Sequence, residues 1–245
     1  MAGGRRNPPR GARSGATRRP GLRAEPIVAL LALALAGLPA AARGQAEGVL
    51  LEEDFSSGVD GWSLTRLDRR PTAYATTIMN GNPVLVATSE NAAAGYVRAF
   101  RTPAPARATL AWRWRVARSL ADNGEERSRR GDDYAARVFA LFGDRPFKRG
   151  TRAVSYVWAG REPPGSRYRN PVVSDVATFV IRSGDAYAER WMYEQRDLVA
   201  DFRTAFGEDP PPLTGIAIVV DTDDTSSEAI AWFDDFRLEV TPRSP

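Results

Sequence analysis

From Val49 onward, short apolar stretches are separated by clusters of turn residues. That pattern is the mark of a β-sandwich or barrel. Strands are expected near 49–55, 62–66, 73–79, 83–88, 94–100, 108–117, 134–142, 152–159, 175–182, 187–195, 213–220 and 230–240. The clearest half-buried one is 108–117, where Leu110, Trp112, Trp114 and Val116 alternate with Thr109, Ala111, Arg113 and Arg115. A period of two puts the tryptophans on the core side and the arginines in water. Stretches 135–142 and 216–220 instead read apolar on both faces, as central strands covered on both sides do.

One helix interrupts this pattern. Apolar residues at 198, 199, 202, 205 and 206 form a single stripe, with Asp197 as N-cap and Gly207 as the stop. Its expected role is to plug one end or flank of the sandwich. Two connections, 118–133 and 160–171, are too long and polar for simple hairpins, and long loops on a rigid scaffold are where binding residues concentrate.

The first 46 residues read differently. Seven arginines precede position 26, an apolar run fills 27–38, and small residues follow at Ala40, Ala42, Gly44 and Ala46. This is the layout of a secretory signal, with cleavage after Ala42 or, preferably, Ala46. A run of about 12 apolar residues is short of the roughly 20 that a bilayer-spanning helix needs, so no stable membrane span is expected after cleavage. The motif at 17–23 resembles the twin-arginine export signal, although Gly21 stands where that signal has an apolar residue, so the export route stays open. The expected location is periplasmic or secreted.

Charge follows the same division. The whole chain carries 34 basic and 30 acidic residues; removing the eight arginines and one glutamate of 1–46 leaves 26 and 29, a net −3 over 47–245. The basic excess belongs to the leader, so no nucleic-acid partner is indicated. Residues 47–245 are read as one β-sandwich domain, long enough to bury a core without staples.

The chain has no histidine and no cysteine. Ser-His-Asp catalysis, thiol nucleophiles, thiolate or histidine zinc sites and disulfides are therefore excluded. What survives is oxygen chemistry: carboxylate pairs, Tyr or Arg bases, and calcium.

Three groups of residues could carry such chemistry. Asp221, Thr222, Asp223, Asp224 and Thr225 follow a buried strand and could wrap a cation, yet Asp and Thr also make self-bonded turns. Asp132 and Asp133 enter another buried strand, but neighbouring residues of a strand point to opposite faces, so a catalytic pair would need a distant acid such as Glu189, Glu194 or Asp223. Tyr156, Trp158, Arg161, Tyr168 and Arg169, with Trp191 and Tyr193, supply the aromatic faces and hydrogen-bonding groups that sugar recognition uses. The ligand-binding candidates are Asp132, Trp158, Arg161, Tyr168, Asp221 and Asp223; catalytic residues are unknown.

Two resemblances extend this reading. Glu52, Glu53, Asp54 and Phe55 before Gly61-Trp62, with Trp232-Phe233-Asp234-Asp235-Phe236-Arg237-Leu238 at the end, resemble the jelly-roll carbohydrate-binding modules. The resemblance implies neighbouring first and last strands and a possible structural calcium on Glu53, Asp54, Asp234 and Asp235; otherwise no cofactor is expected. The succession Gly131-Asp132-Asp133-Tyr134-Ala135-Ala136-Arg137, Tyr156-Val157-Trp158-Ala159, Glu194 through Phe206-Gly207, and Gly215-Ile216-Ala217-Ile218 leading to Asp221-Thr222-Asp223 is similar to a bacterial family, domain of unknown function 3047, over about 50–240. The resulting expectation is an all-β, two-sheet sandwich of jelly-roll, galactose-binding-like type with one short helix near 197–207. Its expected function is that of an exported, non-catalytic binding domain for a saccharide or cell-envelope component. The alternative is a carboxylate-based glycoside hydrolase or a Tyr/Arg-based polysaccharide lyase.

Overall fold

The computed structural model describes residues 48–121, 125–143 and 151–243. The expected leader and its expected cleavage sites lie outside them. The strands are β1 (Gly48–Glu53), β2 (Trp62–Arg66), β3 (Ala73–Met79), β4 (Asn82–Glu90), β5 (Ala93–Ala99), β6 (Pro105–Val116), β7 (Tyr134–Phe142), β8 (Arg152–Ala159), β9 (Arg167–Arg169), β10 (Val176–Ser183), β11 (Met192–Asp197), β12 (Leu213–Asp221) and β13 (Glu228–Pro242). They form two sheets. Sheet A runs β11-β6-β13-β4-β3, with β1 also on β13, and sheet B runs β2-β5-β12-β7-β8-β10-β9. The expected two-sheet sandwich is the fold.

Its core is aromatic. The alternation in β6 turns Trp112 and Trp114 inward, where they meet Tyr156 and Trp158 of sheet B at ring separations of 5.5 and 5.9 Å. β7 and β12 are buried along their whole length. Their inner residues, including Val138, Ala140, Ile216 and Ile218, join the main core, while Phe139, Leu141, Ala217 and Val219 face away from it and form a second cluster with Val173, against which Leu67 and Val172 pack. The two-sided apolar runs therefore mark central strands, as their composition requires.

The helix, α1 (Leu198–Phe206), has the expected ends. Asp197 accepts from the backbone N–H groups of Val199 and Ala200, and Gly207 adopts φ 76°, its N–H bonded to the Arg203 carbonyl. Phe202 packs on Phe142 at 4.7 Å, and Asp201 accepts from the Tyr156 hydroxyl at 2.8 Å, tying the helix to both β7 and β8.

Two elements differ from expectation. The strand expected from 187 starts at Met192, because Ala188 N–H bonds back to Asp185 and Glu189 takes a left-handed φ of 62°. β9 falls inside the loop expected at 160–171. It pairs with β10, which itself runs parallel to β8. A parallel neighbour requires a long crossover rather than a hairpin, which accounts for the length of this connection.

Candidate functional site

Arg137 is the polar residue of β7, and a register shift in the neighbouring strand gives it partners. Between Val219 and Asp221 the β12–β7 ladder slips, so Val219 opposes Arg137 and Asp221 opposes Tyr134. Arg137 Nη2 then lies 3.2 Å from Asp221 Oδ2 and 3.3 Å from Asp132 Oδ1, and donates to the Asp132 carbonyl at 2.8 Å. Its guanidinium stacks 4.2 Å from the Tyr134 ring. Asn170, from the crossover, donates to both oxygens of Asp132 and accepts from the N–H groups of Val172 and Val173. The loop is thereby pinned over the sheet.

Burial sets the electrostatics. It raises the pKa of Asp132 and of Asp221, and Arg137 only partly opposes this. Burial works against the charge of Arg137 itself, but Asp221 and Asp132 outweigh it and its pKa rises. At the rim, burial and the neighbouring acids push Asp223 to about 6 and Asp224 to about 7. Asp133 is turned the other way, accepting from the N–H and hydroxyl of Thr225 at 2.7 and 2.5 Å. Tyr134 and Tyr168 share a 2.6 Å hydroxyl contact, and burial raises Tyr168 to about 12.

The two long loops are laced together beside this centre. Glu126 is buried and accepts from the N–H groups of Gly160, Arg161 and Glu162, while Arg127 makes a two-pronged contact with Glu162 at 2.9 and 2.7 Å. Gly160 must be glycine here, because a Cβ would meet the Leu120 carbonyl at 2.7 Å.

The family model described as "Protein of unknown function (DUF3047)" matches residues 60–237 and so takes in both loops and the Arg137 centre. The chain belongs to this family. No curated protein matches the DUF3047 chain. Among solved structures, it is similar to the CBM22-1 xylan-binding domain from Paenibacillus barcinonensis Xyn10C, at 12% identity and TM-score 0.42, over 82% of this chain and 100% of that one. It is also similar to the family 11 carbohydrate-binding module of the Clostridium thermocellum cellulase Lic26A-Cel5E, at 8% identity and TM-score 0.43, over 82% and 99%. A third is the K1 adhesin domain of Lys-gingipain from Porphyromonas gingivalis W83, at 14% identity and TM-score 0.40, over 79% and 98%.

In the DUF3047 chain, Asp132 and Asp221 meet Arg137, Tyr168 joins them through the Tyr134 hydroxyl, and Asp223 stands at the rim near Asp133. Trp158 does not join them: it is buried in the main core, with its indole N–H on the Gly184 carbonyl at 3.0 Å. Arg161 lies at the exposed loop and donates to the Ala121 carbonyl. The four acids suggested for calcium have other partners. β1 and β13 are neighbours, as the resemblance implies, but Glu53 accepts from Phe55 N–H and Trp62 Nε1, and Asp54 from Ser56 N–H. Asp234 and Asp235 both pair with Arg113. Among the described residues no three acids are grouped as a metal site.

Sequence reasoning passed over Arg137 itself. The signal was present: one charge in a nine-residue stretch otherwise made of apolar residues, where burial demands a compensating partner. Further polar groups on the same side of sheet B lack partners. Arg137 Nε and Nη1, Ser155 Oγ and Thr178 Oγ1 are buried and unbonded. The register places Ser155 between Phe139 and Thr178, and Thr178 opposite Tyr168. Each such group costs about 1–3 kcal/mol when left unsatisfied.

Proposed function

We propose that the chain is an exported, non-catalytic binding domain whose ligand is a saccharide or another cell-envelope component. The observation that carries this reading is the row of unbonded donors and hydroxyls, Arg137, Ser155 and Thr178, set beside Phe139 and Tyr168 on one side of sheet B. Ring faces and convergent polar groups are what a polyhydroxylated ligand requires. Export rests on the leader at 1–46 and puts the domain in the periplasm or outside the cell. The test is retention on a glycan array and on isolated cell envelopes, with Ser155→Ala and Thr178→Val as variants. Binding that both variants weaken supports the reading; no retention on either surface overturns it.

One observation favours a glycoside hydrolase as the second reading. Asp132 and Asp221 each place an oxygen within 3.3 Å of the same Arg137 nitrogen, so those oxygens lie no more than 6.5 Å apart. That overlaps the roughly 5–9.5 Å separation of glycosidase carboxylates. The side chains of Asp132 and Asp221 are only 1% and 4% exposed, as closed off as Arg137, Ser155 and Thr178, so either reading requires the 160–171 connection to move off sheet B before a ligand enters. Release of reducing sugar from a polysaccharide panel, lost in Asp132→Asn, decides for hydrolysis.

A further inference from the structure

The solvent side of sheet A carries a different constellation. Because Trp112, Trp114 and Val116 face the core, Arg113 and Arg115 of β6 point outward; on β13, Ala231 and Phe233 are buried and Trp232 points outward. Tyr193 of β11 opposes Arg113, Arg115 opposes Trp232, and Trp232 opposes Val86. The Arg113 guanidinium lies 4.8 Å from the Trp191 ring centre, and that of Arg115 lies 5.1 Å from Trp232. Tyr193 is 61% exposed, and both tryptophans are partly buried. With strands about 4.8 Å apart and about 3.4 Å per residue, Tyr193 and Trp232, two strands and two residues apart, stand roughly 12 Å from each other.

The two arginines differ in charge balance. Arg113 is held by both Asp234 and Asp235. Arg115 has no carboxylate partner among the described residues: its Nη1 meets the Met79 sulfur at 3.7 Å, and its Nε is buried without a partner. A guanidinium is built for a planar, two-oxygen acceptor. This one has none.

We propose that this strip is a second binding surface, for an extended saccharide chain bearing carboxylates: a sugar face rests on Tyr193, and a carboxylate meets Arg115 where its guanidinium lies over Trp232. The strip lies on the open face of a sheet, which suits a polymer lying across it; a small molecule needs a concave pocket. It stands independently of the Arg137 site, which lies on the far side of the other sheet.

The test is affinity electrophoresis of the full chain, as exported, through gels holding polygalacturonate or its methyl ester, which keeps the sugar chain and removes the charge. The expected result is retardation by polygalacturonate at least ten-fold stronger than by the ester. Trp232→Ala and Tyr193→Ala each reduce it ten-fold or more, Arg115→Gln brings it down to the level of the ester, and Glu208→Gln, an exposed position just past α1 and outside both sites, changes nothing. Melting curves of the variants separate lost binding from lost folding; Arg115→Gln, at a half-exposed position, keeps the test open if Trp232→Ala unfolds. Equal retardation by acid and ester, no retardation at all, or loss in Glu208→Gln with none in the strip variants overturns the proposal.

Discussion

Arg137 and Asp221 form an ion pair from adjacent strands, Nη2 to Oδ2 3.2 Å, with side-chain exposures of 1% and 4%. Asp132 completes the group from the other side at 3.3 Å. Removing one member of a buried ionic group leaves uncompensated charge and costs about 3–5 kcal/mol. Arg137→Met is therefore expected to lose stability of that order in urea denaturation. Adding Asp132→Asn and Asp221→Asn to it removes the stranded charges and recovers part of the loss. A single Arg137→Met with the wild-type midpoint contradicts this account.

Stability is expected to fall as pH rises from about 4 to about 7. Asp223, at about 6, and Asp224, at about 7, hold protons in the folded state that the unfolded chain, with carboxyls near 3.8, has already released. Where the native state binds more protons, stability declines with pH. Asp132 and Asp221, raised by burial, act in the same direction. The double variant Asp223→Asn, Asp224→Asn flattens the dependence of melting temperature on pH; an unchanged slope shows that these acids do not titrate as described.

The joint between the long loops is expected to depend on Glu126. Glu126→Ala leaves the N–H groups of Gly160, Arg161 and Glu162 without their acceptor. The predicted outcome is faster proteolysis within 118–133 and 160–171 while the β-sheet circular dichroism persists. Gly160→Ala gives the same signature through its clash with the Leu120 backbone. Resistance equal to wild type in both variants rules out the lacing role.

Calcium is expected to leave the melting temperature unchanged, and so is a chelator. Glu53 and Asp234 are engaged by Trp62 Nε1 and Arg113, and calcium, which gathers six to eight oxygen ligands, would have to compete with these partners for its carboxylates. Glu53→Ala instead destabilises by about 1–3 kcal/mol, the cost of orphaning a half-buried indole N–H. A calcium-induced rise that Asp234→Asn abolishes restores the metal reading.

Much of the fold was legible because its determinants are local. Alternation placed Trp112 and Trp114 inward, and Asp197 and Gly207 bounded α1, because caps and periodicity act within a few residues. The centre was legible only in pieces. Asp132, Asp221 and Tyr168 stood out by type, but Arg137 did not, and Trp158 read as a ligand platform although its ring is core.

The division has a physical basis. The sequence by itself determined a β-sandwich with one capped helix, a chemistry without histidine or thiol, and a net acidic stretch over 47–245 after a basic first 46 residues, since these rest on composition and short-range pattern. Only the tertiary structure decided which acids share an arginine. The slip between Val219 and Asp221 sets that pairing, and no local pattern fixes the register between strands eighty residues apart. The same holds for Arg115. Its lack of a carboxylate partner among the described residues follows from what β3 and β13 set around it, and that is a property of the folded sheet.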